Sequence, residues 1–216
     1  MTQSLDSRLI ELLNARLCHD LISPVSAVNN GIELIVEMGE DPGGEAIGLV
    51  AQSGREAARK LQFFRLAFGS ARLPSGAEAG WAEARTALLE WPVSERITVT
   101  WATAPTGLSV VREGTKIAML LGLTALDCLG GAGRLDMAAQ AAPGGVIWSV
   151  VARGDRATIA PDMALALTGQ AGAGDLSPKT APAAYAASLA TGIGSRILSA
   201  SAPGEIRLEC LIPSAG

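Results

Sequence analysis

Residues 17–24, LCHDLISP, contain the only histidine in a chain of 216 residues. His19 is followed at once by a carboxylate, Asp20, and one helical turn later by a hydroxyl, Ser23. An imidazole is a nucleophile when one ring nitrogen is free and the other carries a proton that a partner holds. Asp20 is placed to accept that N–H, and Ser23 is placed to donate to an oxygen of an incoming group. These residue types at this spacing predict nucleophilic chemistry at His19.

Other uses of a lone histidine fit the sequence less well. A single histidine without clustered cysteines cannot complete a tetrahedral zinc site, so we expect no metal. A serine-hydrolase triad is disfavoured because the chain has no G-x-S-x-G elbow. The spacing alone leaves open a solvated surface histidine without a chemical role. Taken together with its neighbours, His19 is interpreted as a phosphate-accepting residue.

The helix that carries His19 accounts for its polar neighbours. At about 100° per residue, six side chains share the face of His19, opposite the apolar stripe: Arg16, Ser23, Ser26, Asn30, Glu33 and Glu37. We expect the first three of them to contact a partner. Pro24 has no N–H, so the carbonyl of Asp20 loses its helical partner, and a bend costing roughly 3 kcal/mol is expected there. The sequence therefore gives Pro24 a structural role, which is to push His19 outward.

Two N-terminal segments have the periodicity of helices. In residues 5–38, apolar side chains recur three and four positions apart, at Ile10, Leu13, Leu17, Leu21, Val25, Val28, Ile32 and Ile35. Residues 45–68 repeat this pattern at Ile47, Val50, Gly54, Ala57, Leu61, Phe64 and Phe68, with Gly54 and Ala57 permitting close approach. Turn residues 39–44 separate the two, which predicts an antiparallel hairpin. Since one hairpin cannot cover both stripes, we predict a homodimer built on a four-helix bundle; packing against the rest of the chain is the alternative.

The remainder of the chain mixes helical and strand patterns. After a linker at residues 69–76, helices are expected at 77–90, 113–129 and 181–190, and strands at 97–101, 134–140, 146–151, 195–200 and 205–212. This order predicts the α+β class, with helices on one face of a mixed sheet. We therefore divide the chain into a helical-hairpin domain, residues 1–70, and an α/β domain, residues 76–216.

Composition and charge exclude several classes of protein. The formal net charge of −4 argues against nucleic acid as a partner. The chain lacks an apolar run of membrane-spanning length, and its first residues lack the pattern of a signal peptide, so we expect a cytoplasmic protein without a membrane partner. Three widely separated cysteines, Cys18, Cys128 and Cys210, predict buried thiols rather than disulfides.

The motif H-D-L-I-S-P resembles the H-box of sensor histidine kinases, in which a histidine on the first helix of a dimeric four-helix bundle takes the phosphoryl group. The longer strings CHDLISPV and NNGIEL, at residues 18–25 and 29–34, resemble the ChpT family of bacterial histidine phosphotransferases more specifically. This resemblance implies that His19 is phosphorylated and that Asp20 is its acid/base neighbour. It also implies that the second half is a degenerate, Bergerat-like α/β sandwich related to the kinase ATPase domain.

The second half departs from a working kinase at the nucleotide motifs. Kinases hold Mg²⁺ and triphosphate with an N-L-L-x-N-A pattern, whereas residues 121–127 read LGLTALD, with Gly122 and Leu126 in place of the asparagines. The D-x-G-x-G motif expected after strand 146–151 is missing, and the glycines around Ile193 read as turn residues. We therefore expect no cofactor on this chain, with Mg²⁺ supplied by a partner's receiver domain.

The expected function is histidine phosphotransfer in a bacterial phosphorelay, without ATP-dependent kinase activity. His19 would take the phosphoryl group from a receiver-domain aspartate and pass it to a response-regulator aspartate. The resemblance implies that the partners are receiver domains of a hybrid histidine kinase and of response regulators. Two alternatives stay open: a divergent ATP-dependent sensor histidine kinase, and a non-catalytic dimeric adaptor that binds receiver domains.

Overall fold

A computed structural model describes residues 5–39, 44–69, 77–102 and 111–214. The described helices are α1 (Leu5–Met38), α2 (Gly44–Ala67), α3 (Ala77–Leu89), α4 (Arg112–Cys128), α5 (Pro161–Thr168) and α6 (Ala181–Gly192). The described strands are β1 (Ile97–Trp101), β2 (Gly133–Ala142), β3 (Gly145–Arg153), β4 (Ile197–Ala202) and β5 (Glu205–Pro213). An N-terminal helical hairpin is thus followed by an α+β layer, as the sequence predicts.

Helices α1 and α2 pack along one another and form the hairpin. A Cβ on buried Gly31 would lie 2.6 Å from Cγ2 of Val50, so the absence of a side chain there is what lets the helices approach. Gly54 is exposed, and a Cβ added there would meet no atom of the neighbouring helix within 4 Å. The prediction that Gly54 permits close approach is therefore wrong within the hairpin. The predicted turn at residues 39–44 is described only at its ends, where Gly39 has a φ of 71°.

The sheet is mixed and has the strand order β1-β2-β3-β5-β4. Strand β1 is parallel to β2, and the other neighbouring pairs are antiparallel. Side chains alternate along the central strands, because successive residues of a strand point to opposite faces. One face buries Leu135, Met137, Trp148, Val150, Ile206 and Leu208, while charged side chains such as Arg153 and Glu205 lie on the other. The helices therefore cover one face, as expected.

Helix α4 lies at the centre of the α+β layer. Nearly every residue from Gly114 to Cys128 is buried, including the small residues Gly114 and Gly122. A Cβ on Gly122 would lie 2.7 Å from Cδ2 of Leu88 and 3.3 Å from Sδ of Met137. An added side chain at position 122 would therefore require the Leu88 side chain to move.

One hydrophobic core runs through both the hairpin and the α+β layer. Phe63 and Phe64 at the end of α2 are 0% and 1% exposed, and both rings contact Trp91, with centroids 4.7 and 5.5 Å apart. Lys116 of α4 donates to the carbonyl of Gly69, 2.6 Å away, and so holds the chain just after the end of α2. The division at residues 70–76 stays a prediction, and the predicted linker lies outside the described residues apart from Gly69.

The outer surface of the hairpin is apolar and uncovered in a single chain. Part of the α1 stripe packs on the chain's own core, including Leu17, which confirms for that part the alternative of intramolecular packing. Ten large apolar side chains of the hairpin are nevertheless exposed: Ile10, Ile22, Val25, Ile32, Leu34, Val36, Met38, Ile47, Leu49 and Leu61. An exposed apolar surface of this extent on a monomer is typical of an interaction site.

Helix α5 is the one described element that the sequence analysis did not predict. Its eight residues run from Pro161 to Thr168, and the next residue, Gly169, has a left-handed φ of 69°. Proline at the start and glycine just past the end are helix-boundary signals that were present in the sequence.

Within the described residues, no helix combines the length and the apolar character needed to span a bilayer.

Candidate functional site

His19 lies on the solvent-facing side of α1, with its side chain 82% exposed. Its Nδ1 is 3.0 Å from Oδ1 of Asp20, whose side chain is only 12% exposed. An ionised carboxylate can only accept hydrogen bonds, so Asp20 in that form pairs with a ring that carries a proton on Nδ1. In the neutral form of that ring, Nε2 is the nitrogen with the free lone pair. The structure thus brings His19 and Asp20 together as the sequence predicts.

Arg16 fixes the other side of Asp20. Its Nε donates to Oδ2 of Asp20 at 2.7 Å, and its two terminal nitrogens donate to the two oxygens of Asp127 at 2.7 and 3.1 Å. Burial alone would lower the pKa of Arg16, but the hydrogen bonds and charges of the two aspartates raise it on balance. Burial raises the pKa of the Asp127 carboxyl, and the guanidinium limits that rise.

These contacts bear on the predicted role of Arg16 in partner binding. The residue is 8% exposed, and its guanidinium donates to both Asp20 and Asp127. Such a buried, two-sided ion pair favours a positioning role over direct contact with a partner. Partner contact by Arg16 stays a prediction without support from this geometry.

Pro24 is buried, and α1 continues through it as one helix. The carbonyl of Asp20, which Pro24 deprives of an N–H donor, instead accepts a hydrogen bond from Nζ of Lys60 at 3.1 Å. Lys60 lies on α2 and also pairs with Glu56 at 2.7 Å. The sequence showed that the carbonyl needed a donor, but no pattern in the chain indicated that Lys60 supplies it.

Ser23 and Ser26 are exposed on α1, one and two turns beyond His19. A groove beside the histidine is lined by residues of α1, of α4 and of the segment before α6: Arg16, His19, Asp20, Asp127, Ser177, Pro178 and Lys179. The last three precede α6, and sequence analysis assigned them no role. Cys128 and Cys210 are buried as predicted, but the prediction is wrong for Cys18, which is exposed beside His19.

The positions where a kinase would carry its asparagines are part of the apolar core. Gly122 is closely packed between α3 and the sheet, and Leu126 is 8% exposed. Burial raises the pKa of Cys128 at the end of the same helix to about 11, so that thiol is uncharged near neutral pH. Across the described ranges, no group of three or more His, Cys, Asp or Glu side chains is placed to hold a metal ion.

Comparison with protein families identifies the chain. Residues 81–205, more than half of it, match the histidine phosphotransferase C-terminal domain. The chain therefore belongs to the histidine phosphotransferase family.

Within that class it is ChpT-like, as the longer strings at residues 18–25 and 29–34 predict. It is 38% identical to the protein phosphotransferase ChpT of Brucella abortus (strain 2308) over 112 residues, which are 52% of this chain and 50% of that protein. The match thus spans about half the length of this curated relative. A solved bacterial phosphotransferase structure is similar over 97% of this chain and 98% of its own, with a TM-score of 0.76 and 25% identity.

Proposed function

We propose that His19 accepts a phosphoryl group from the aspartyl phosphate of a receiver domain and passes it to the aspartate of a second receiver. The observation that carries this proposal is the placement of the ring, with Nδ1 3.0 Å from Oδ1 of Asp20 and the side chain 82% exposed. A nucleophile needs an open nitrogen, a fixed orientation and access for a bulky donor, and His19 combines all three.

The transfer follows from the two nitrogens of the ring. The Nε2 lone pair attacks phosphorus, an N–P bond forms, and the P–O bond to the donor aspartate breaks, so that aspartate leaves as a carboxylate. The proton on Nδ1 stays there, and the ring gains positive charge as the N–P bond forms. The carboxylate of Asp20 stabilises that charge through the Nδ1–H hydrogen bond. The second transfer reverses these steps toward a new carboxylate.

The partners in this proposal are receiver domains of a hybrid histidine kinase and of response regulators in the cytoplasm. A receiver's acidic pocket would supply the Mg²⁺ that neutralises the phosphoryl oxygens, so this chain would use no cofactor. Ser23 and Ser26 are exposed near His19 and can donate hydrogen bonds to an approaching receiver.

The test is transfer from a phosphorylated receiver domain to the purified protein. We expect an acid-labile, base-stable label that disappears in His19→Ala, because the chain has no second histidine. Circular dichroism should be unchanged in this variant, since an 82% exposed side chain contributes little to the core. A His19→Ala protein that is labelled as fast as wild type would contradict the proposal, and receiver binding without label would favour the adaptor.

We further propose that the exposed apolar surface of the hairpin is covered by a second copy of the chain, giving a four-helix bundle. Leu61 lies on this surface and is 54% exposed, while Leu198 on strand β4 is a matched apolar residue that is 53% exposed. In light scattering at micromolar concentration we expect a dimer. Leu61→Asp should shift it toward monomer because an unpaired charge would be buried in the interface, whereas Leu198→Asp should not. A monomeric wild type would contradict the bundle.

A further inference from the structure

Asp127 connects the α+β layer to the residues around His19. It lies in the last turn of α4, 111 positions from Arg16 in sequence, and its side chain is 18% exposed. Both of its carboxylate oxygens accept hydrogen bonds from the terminal nitrogens of Arg16. This is a bidentate ion pair, and its two parallel hydrogen bonds fix the orientation of the guanidinium relative to the carboxylate.

A third donor of the same guanidinium binds Asp20, the neighbour of the histidine. Nε of Arg16 donates to Oδ2 of Asp20 at 2.7 Å, which leaves Oδ1 of Asp20 for Nδ1 of His19 at 3.0 Å. Each carboxylate oxygen of Asp20 therefore has one of these partners. The guanidinium of Arg16 contacts Asp20 through Nε and Asp127 through its two terminal nitrogens. The series runs Asp127, Arg16, Asp20, His19, and its inner members are little exposed.

The division of the guanidinium between two carboxylates depends on Asp127. If Asp127 were neutral, Arg16 would have one charged partner, and its preferred geometry would be a two-pronged contact with Asp20. Both oxygens of Asp20 would then turn toward Arg16, and the hydrogen bond to Nδ1 of His19 would weaken. The ring would be free to carry its proton on Nε2, the nitrogen that must be unprotonated to attack phosphorus.

We infer that Asp127 is a positioning residue for His19, acting through Arg16 and Asp20 to keep the imidazole in its Nδ1–H tautomer. This inference rests on the proposed function, in which Nε2 is the nucleophile. It assigns to the α+β layer a part in preparing the histidine, without contact between that layer's carboxylate and the phosphoryl group.

The chain offers a matched control for a purely structural role. Arg65 of α2 and Glu83 of α3 form another ion pair between the hairpin and the α+β layer, at 2.9 Å. In the described structure this pair has no hydrogen bond to His19 or Asp20; its further partner is Gln62. Glu83→Gln thus removes one carboxylate between the same two parts of the molecule and leaves the His19 series intact.

The first experiment measures the tautomer of His19 by ¹⁵N NMR, at a pH where the ring is neutral. Because the chain has one histidine, its ring nitrogens give one assignable pair of signals. Wild type and Glu83→Gln should be mainly Nδ1–H, and Asp127→Asn should shift toward Nε2–H. Unchanged tautomer populations in a folded Asp127→Asn protein would overturn the inference.

The second experiment measures the rate at which phosphoramidate, a small-molecule donor, phosphorylates His19. The Nε2–P bond forms, the P–N bond of the donor breaks, and ammonia leaves with the donor's own protons. We expect Asp127→Asn to lower the maximal rate about fivefold to tenfold, the scale of one lost hydrogen bond, without changing the donor concentration at half-maximal rate. Asp127→Glu should recover part of the loss, and Glu83→Gln should behave as wild type.

Arg16→Lys keeps the experiment decisive if Asp127→Asn does not fold. An ammonium retains the charge but cannot present separate edges to two carboxylates, so it should change the tautomer and the rate in the same direction. Wild-type behaviour in this variant would overturn the inference. Neither readout uses a receiver domain, so a failure of receiver transfer with an intact tautomer effect would refute the proposed function alone.

Discussion

At the scale of single residues, the site depends on how one carboxylate is shared. Asp20 accepts from His19 on one oxygen and from Arg16 on the other, and its side chain is 12% exposed. A carboxylate held from two sides loses little further freedom when charge develops on the ring, so it stabilises that charge without reorganisation. An exposed serine one turn away has no such support.

The order of effects among substitutions should follow this difference. Asp20→Asn should slow phosphotransfer about 10²–10⁴-fold, the range for a lost acid–base contribution, because an amide stabilises the charged ring poorly. Ser23→Ala should cost about 1 kcal/mol, or roughly fivefold, as for one neutral hydrogen bond. Rapid-quench transfer assays would measure both. A larger effect at Ser23 than at Asp20 would refute the assignment of roles.

At the scale of elements, the proline in α1 is accommodated by its neighbour α2. Lys60 supplies the donor that Pro24 removes from the Asp20 carbonyl, so the backbone at the site is fixed across the hairpin. Lys60 is therefore a structural partner of the H-box that belongs to another helix.

A double-mutant cycle in urea unfolding tests this relation. Lys60→Met should lower the free energy of unfolding by about 1–3 kcal/mol, because a partly buried carbonyl loses its donor. In a Pro24→Ala background the N–H at position 24 can bond to the same carbonyl, so Lys60→Met should cost less there. The ion pair of Lys60 with Glu56 is lost in both backgrounds and cancels. Equal costs in the two backgrounds would show that the carbonyl contact contributes nothing.

Helix α4 carries the prediction about nucleotide. Gly122 and Leu126 are core residues, and a Cβ at position 122 would lie 2.7 Å from Leu88, so the helix has no polar side chain at either position to hold a triphosphate. Titration calorimetry with ATP and Mg²⁺ should give no saturable binding below about 1 mM, an ordinary weak-ligand affinity. Saturation in that range would restore the divergent-kinase alternative, and an active kinase ATPase domain is the positive control.

Local sequence patterns were sufficient to predict most of the elements, because helix and strand periodicity are set by neighbouring residues. The limits of α1, α3 and β1 differ from prediction by one residue at most. The predicted apolar stripe of α1 is not the face that a single chain buries: the buried positions are Leu9, Leu12, Arg16, Pro24 and Gly31, roughly a quarter turn from His19 rather than opposite it. Helix α5 was not predicted, because eight residues give too few turns for a helical periodicity to be recognised. Asp127 and Lys60 were not predicted as site residues for another reason. Each is more than 35 positions in sequence from the residue that it contacts, and only the tertiary fold brings such residues together.

At the scale of the whole molecule, the hairpin and the α+β layer share one core. Phe63 and Phe64 of the hairpin pack against Trp91 of the α+β layer. Lys116 of α4 also donates to the carbonyl of Gly69, just after α2. Separating the two parts would expose buried aromatic rings, at about 25 cal/mol for each Å² uncovered. We therefore expect the parts to unfold together.

Two spectroscopic probes distinguish the parts in one urea titration. All four tryptophans, Trp81, Trp91, Trp101 and Trp148, lie in the α+β layer, whereas the two longest helices lie in the hairpin. Tryptophan fluorescence and far-ultraviolet circular dichroism should therefore have the same midpoint, at a fixed protein concentration. A circular dichroism transition that precedes the fluorescence transition would mean that the hairpin melts on its own.

The presentation of His19 also constrains the kinetics of any exchange through it. One imidazole is exposed, with Asp20 beside one nitrogen and a groove at its side, so the donor and acceptor of the proposed relay would have to occupy the same place in turn. In the proposed relay, the phosphoryl group would wait on the ring while one partner leaves and the other arrives. Throughput depends on the hydrolytic lifetime of the N–P bond relative to that exchange, and an excess of either partner slows the other by occupancy. Ping-pong kinetics with mutual inhibition is the behaviour that a solitary, one-sided nucleophile imposes.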